Sequence, residues 1–335
     1  MTPIGNDAQK CNPPSCRRFA TAVVDSPQHE ESSHPRATRR LQVAGTGLRA
    51  TDVLLAITLP TAAWLVTAGL LPPWLRMWAL VGAEVLAVKW LMLRFALARV
   101  EAPGRGRQLA FLLGWAGTDA TRFLRGTAET VQRAEWVWAA AHLQTGLACA
   151  LAGAQLVATA PVVAAWLGML GMVLAGHFGG TQLLALAWRT RGVDAPPLMR
   201  TPIAATSLAD FWGARWNLAF AVPARDLLFK PLARRIGAAG AMLAVFAVSG
   251  LLHETVIALP AGTGWGWPTA YFLFQGVAVL FEKSAAGRAL GLGRGVRGWL
   301  FVLACAAGPA WWLFPPDFAT TVVAPMLSTL HPFTP

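Results

Sequence analysis

Charge is what this sequence has least of. Asp, Glu, Lys and Arg make up 13% of its 335 residues, about half the roughly 25% of an ordinary water-soluble domain. Much of its surface must therefore face something other than water. Cysteine is also scarce, at four. Cys149 and Cys305 lie in apolar runs, where a free thiol behaves as a small hydrophobe. Cys11 and Cys16 lie in a polar tail read as cytoplasmic, where a stable disulfide is not expected. No zinc-ligand spacing is present, and no apolar stretch opens the chain as a cleavable signal peptide would. No repeat of 20–50 residues recurs, so an inverted-repeat transporter gains no support. Ser249 lacks the Gly-x-Ser-x-Gly elbow of a serine hydrolase. The run "GLGRG" at 291–295 follows no strand, which removes it as a phosphate loop.

Apolar length is abundant instead. Hydrophobic residues make up 55% of the chain, and they cluster in runs of about 20, the length that crosses a bilayer. Seven spans are predicted, near 53–71, 77–98, 136–158, 162–187, 236–259, 268–282 and 298–314. Pro60 is expected to kink the first, and Pro72-Pro73 to end it. The segment 316–331 is too interrupted to count as a full span. Residues 1–50, rich in Ser, Pro, Arg and Gln, read as a disordered basic cytoplasmic tail. Residues 51–335 read as one membrane domain. The fold class is then all-α and polytopic, with about seven to nine membrane-spanning helices.

The net charge of +12 does not point to nucleic acid, because the basic residues sit between apolar runs rather than on one face. Their distribution is one-sided. They crowd into the tail, the region 89–133, the region 189–235 and the loop after 282, whereas only Arg76 falls on a loop of opposite parity. This places the N-terminus in the cytoplasm and makes the number of spans odd. Several of the sixteen tryptophans lie near span ends, as in an interfacial belt. High Ala, Arg and Trp usage suits a GC-rich bacterium, and the location read is the inner membrane.

Two stretches carry polar groups where apolar ones would be cheaper. "VSGLLHE" sets His253 and Glu254 inside the apolar run 236–259, with His253 about 9 Å from the distal helix end. Ionisable groups at such depth are functional by default. Histidine is the common general base near neutral pH. Ile257 stands where a zinc-protease helix needs its second His, so a metal role is weak. "SLADFWGARWN", residues 207–217, reads by itself as an amphipathic interfacial helix capped by Ser207 or Asp210. Its Asn217 can orient a substrate or stabilise an oxyanion.

Together, "DFWGARWN" and "SGLLHE" resemble the wax-synthase branch of the membrane-bound O-acyltransferases. Weaker similarity runs through "VLAVKWLMLRF", "FLLGWAGTDATRFL" and "HFGG…LAWRTRGV", so the likeness covers most of 80–285. The resemblance implies an acyl group moving from acyl-CoA to a lipophilic hydroxyl, a long-chain alcohol by default. It implies His253 as base and Asn217 as its polar partner, with acyl-CoA as co-substrate and no bound cofactor or metal. Trp212, Arg215, Trp216 and Glu254 are candidate substrate contacts. Arg215 suits a phosphate of coenzyme A or a pair with Asp210. Glu254 points about 100° away from His253 and suits a partner helix. Lys89 matches a basic position of the pattern, with snorkelling or a Glu84 pair as the plainer role. Two alternatives stay open. One is another acceptor (sterol, diacylglycerol, glycan or secondary metabolite) on the same fold, and the other is a transporter with His253 and Glu254 as a proton relay. The topology also sets a problem: His253 lies distally and Asn217 on the cytoplasmic side. For them to meet, 205–225 must dip into the membrane, or the span at 236–259 must shift.

Overall fold

A computed structural model describes residues 47–330 apart from Ala102. The predicted tail, up to residue 46, lies outside the described residues. Every predicted span falls on a helix. These are α1 (Ala50–Thr67), α2 (Pro73–Leu97), α5 (Arg133–Leu156), α6 (Pro161–Arg189), α7 (Leu218–Ala261), α8 (Trp267–Lys283) and α9 (Gly295–Leu313). The short helices α3 (Arg105–Gly114) and α4 (Ala120–Arg125) fill the polar stretch between α2 and α5.

Among the described residues, five of these helices are long and apolar enough to cross a membrane: α1, α5, α6, α7 and α9. The chain is a multi-pass membrane protein. The two predicted spans outside this set differ for plain reasons. α2 carries Arg76, Glu84, Lys89 and Arg94, and α8 is 17 residues long. α1 runs on through Pro60 and stops at Thr67, while Pro73 serves as the first residue of α2, where a missing N–H costs nothing. The interrupted segment after 315 is helical over 316–328 and is labelled α10. It buries Phe318, Val322, Val323 and Leu327 against α2, α5 and α6.

Glycine sets how closely α5 and α6 approach. A Cβ on Gly179 would lie 2.7 Å from the Leu143 nitrogen, and one on Gly171 2.7 Å from the Gly146 carbonyl. Small residues at such contacts let backbones touch where apolar burial gives no driving force. At the far end of α6, Asp194 accepts hydrogen bonds from Arg122 at 2.7 and 2.8 Å, which raises the pKa of that guanidinium above its ordinary value.

Lys89 corrects an expectation. It neither snorkels nor pairs with Glu84. It is buried, donates to the Trp115 carbonyl and lies 5.0 Å from the Phe111 ring centre, within cation–π range. Glu84 instead accepts from the Thr255 hydroxyl, tying α2 to α7 just past His253.

α7 differs from the predicted span in a way that bears on the topological problem. The predicted span begins at 236, but the helix begins at Leu218, directly after Asn217. Three of the charges that mark 225–235 as a loop in the sequence are paired on the helix itself: Asp226 meets Arg225 at 2.9 Å and Lys230 at 2.8 Å. A straight helix would hold Asn217 and His253 about 54 Å apart, well beyond a hydrocarbon core of about 30 Å. Gly237, at φ 75° and ψ 167°, breaks the run. That conformation belongs essentially to glycine.

Candidate active site

One large cavity, about 1160 Å³, takes lining residues from α2, α5, α6, α7, α8, α9 and α10. Its walls are almost wholly apolar, and both Asn217 and His253 line it.

His253 ends the regular part of α7. Five residues of π-helix follow, Glu254–Ala258, the kind of insertion that recurs at functional sites. Its Nδ1 lies 2.7 Å from the Ser249 carbonyl. A carbonyl only accepts, so Nδ1 carries the proton and the Nε2 lone pair is left open. The ring packs on Phe272 with centres 4.4 Å apart.

Asn217 is reached through the second motif. The Ser207 hydroxyl accepts from the Asp210 amide at 3.0 Å, realising one of the two caps predicted. Glu282, buried on α8, accepts from the Leu208 amide at 2.7 Å. The segment is not a continuous amphipathic helix. Phe211–Arg215 form a π turn closed by the Trp216 amide on the Phe211 carbonyl at 2.8 Å. Asn217 then adopts φ 44° and ψ 63°, a left-handed geometry that asparagine tolerates better than most residues. Residues 198–200 hold this strained point from the side. Leu218 N–H donates to the Leu198 carbonyl, and Arg200 N–H to the Arg215 carbonyl, both at 2.9 Å. Among the described residues the Asn217 carboxamide has no hydrogen-bond partner.

The remaining candidates divide. Trp212 and Trp216 line the cavity. Trp212 donates to the Gln275 side chain at 3.3 Å and packs on Phe272 at 5.7 Å, and Trp216 stacks on Phe211 at 5.7 Å. Arg215 and Glu254 do not line it. Arg215 pairs with Asp210 and donates to the carbonyls of Arg200 and Thr201 at 3.4 and 3.3 Å. Glu254 accepts from the amides of Gly266 and Thr269 and from the Thr269 hydroxyl at 2.8–3.2 Å. These are first-turn donors of α8, so Glu254 caps that helix. Both residues, expected as substrate contacts, are bonded here to the protein itself.

Sequence reasoning missed the strut between the motifs. Glu254 caps the start of α8, Gln275 in its middle is fully buried and holds Trp212, and Glu282 near its end caps the turn before Asn217. It also passed over His142 and His177, which line the same cavity. A glycine-rich "GHFGG" run around His177 was the available signal.

With this geometry in view, comparison with known proteins gives a consistent result. Residues 195–275, which include both motifs, match the membrane bound O-acyl transferase family. A long-chain-alcohol O-fatty-acyltransferase of Simmondsia chinensis is 36% identical over 147 residues, covering 39% of this chain and 41% of that protein. The probable long-chain-alcohol O-fatty-acyltransferase 7 of Arabidopsis thaliana is 36% identical over 142 residues, 38% of this chain and 41% of its own length. The acyl-CoA–sterol O-acyltransferase 1 of Arabidopsis thaliana is 28% identical over 146 residues, 38% of this chain and 39% of its own. The chain spans about two fifths of the length of the curated relatives it matches. Over the segment that carries both motifs the chain is similar to membrane-bound O-acyltransferases, and the resemblance drawn from "DFWGARWN" and "SGLLHE" is borne out.

Proposed function

We propose that this protein is a membrane-embedded O-acyltransferase moving a fatty acyl group from acyl-CoA to a lipophilic hydroxyl, with a long-chain alcohol as acceptor and a wax ester as product. One observation carries the reading: an open Nε2 on His253 and an unpartnered Asn217 carboxamide line one apolar cavity.

In this mechanism Nε2 takes the hydroxyl proton as the alcohol oxygen attacks the thioester carbonyl. The bond to the Ser249 carbonyl fixes the tautomer that can do so. The Asn217 amide donates to the oxyanion that forms. As the carbonyl reforms, the C–S bond breaks, and the coenzyme A thiolate takes the proton from His253. Trp212 and Trp216 shape the wall along the chains. Arg215 and Glu254 hold the two motifs in place without touching substrate. Counting α2 and α8 as crossings gives seven spans, within the expected seven to nine, with the N-terminus cytoplasmic and the protein in a bacterial inner membrane. The test is acceptor-dependent release of coenzyme A by purified protein beside its His253→Ala and Asn217→Ala forms.

A sterol acceptor is the second reading, favoured by the similarity to the acyl-CoA–sterol acyltransferase. Direct competition between a long-chain alcohol and a sterol separates the two.

A further inference from the structure

His142 repeats the arrangement of His253. Its Nδ1 lies 2.8 Å from the carbonyl four residues back, that of Trp138, as the Nδ1 of His253 does from Ser249. By the same logic its Nε2 lone pair is open. Its ring also packs on a phenylalanine: it stacks on Phe178 with centres 5.6 Å apart, where His253 is tilted against Phe272 at 4.4 Å. Both imidazoles line the one cavity.

His177, on the neighbouring helix α6, lines the same cavity. It lies in the π-helical stretch Val173–Gly180 of α6, next in sequence to the Phe178 that stacks on His142. The close approach of Gly179 to Leu143 sets the two histidines at the same level of the α5–α6 contact. The His177 ring also lines the cavity and has no hydrogen-bond partner among the described residues. Two imidazoles facing a saturated chain would each lose the hydrogen bonds that water gives them, which is unfavourable in an apolar setting. A ligand carrying a hydrogen-bond donor at that level removes the loss. Because Nε2 of His142 can only accept, the matching group is a hydroxyl rather than an ether or ester oxygen.

We infer that His142 and His177 form a second hydroxyl-binding site in the cavity, apart from His253 and Asn217, and that the chain bound there carries a second hydroxyl. The inference rests on the acyl-transfer reading for taking that chain as the acceptor. The binding itself does not depend on it. A long-chain diol would place one hydroxyl at His253 and the other at His142.

The experiment is equilibrium binding to the full-length protein in detergent, followed by tryptophan fluorescence. Cetyl alcohol is compared with cetyl diols whose second hydroxyl is stepped along the chain. One position in the series should bind about five- to tenfold tighter than the plain alcohol, the worth of one buried hydrogen bond. His142→Phe keeps the ring between Trp138 and Phe178 and should bring that ratio to about one, while His142→Gln, which restores an acceptor, should recover part of it. His177→Phe should lower it. Equal binding across the series, no binding of any member, or a preference unchanged in both phenylalanine variants overturns the site. Diol preference without thioester cleavage sustains the site and removes the acyl-transfer reading. Cleavage at equal rates for diol and plain alcohol in every protein sustains acyl transfer and removes the site.

Discussion

Glu254 accepts two hydrogen bonds from Thr269, one from its amide at 3.0 Å and one from its hydroxyl at 2.8 Å. The residue after the candidate base is therefore a clamp on the next helix. Glu254→Ala leaves buried donors unpaired, at a cost of about 1–3 kcal/mol. Thermal unfolding in detergent should show a lowered midpoint, with Glu254→Gln lowered less because one acceptor oxygen remains. KM for acyl-CoA in the folded fraction should match wild type, and a raised value would return Glu254 to substrate contact.

Arg215 is held by Asp210 and by the carbonyls of Arg200 and Thr201. Arg215→Ala should therefore lower kcat, through a loosened Asn217, and leave KM for acyl-CoA near wild type. Asp210→Asn, which keeps the shape and removes the charge, should move kcat in the same direction. A large rise in KM with kcat intact would show the guanidinium binding a phosphate of coenzyme A.

Gly237 meets nothing within 4 Å of a built Cβ, so space is not the constraint. Its backbone conformation is. Gly237→Ala should cost about 1–3 kcal/mol through strain alone. Because the break lets both ends of α7 reach one cavity, activity should fall further than stability. Unfolding midpoint and kcat/KM measured side by side check this.

Gly179→Ala tests the α5–α6 contact. The new methyl would press on the Leu143 backbone, at 2.7 and 2.8 Å from its nitrogen and Cα. Backbone cannot turn aside as a side chain can, so a loss of about 1–3 kcal/mol is expected in the same unfolding assay.

The helices were legible, and five of the seven predicted spans with them, because apolar length, proline and glycine mark them without reference to any partner. The two motifs were legible because ionisable groups are rare in apolar runs. The first half of α7 was not. Its charges read as loop because five fall within eleven residues, and the i,i+4 spacing of Asp226 and Lys230 that suits a helix was not weighed against that density. Lys89 failed for a related reason: its acceptor is a backbone carbonyl 26 residues away, and every residue type offers one. The π turn before Asn217 escapes a search for 3.6-residue periodicity. His142 and His177 were not legible, because each gains meaning only from the cavity that both line.

The most direct measurement follows free coenzyme A over time with purified protein, acyl-CoA and a panel of hydroxyl acceptors, for wild type, His253→Ala and Asn217→Ala. Acceptor-dependent release is predicted, falling about 10²- to 10⁴-fold without the base and about 10²- to 10³-fold without the oxyanion donor; His253→Ala keeps the wild-type unfolding midpoint, whereas Asn217→Ala, which puts alanine in left-handed backbone, loses about 1–2 kcal/mol and still folds. Release that persists in folded His253→Ala protein would contradict the account. So would sealed vesicles in which substrate flux proceeds and no thioester is consumed.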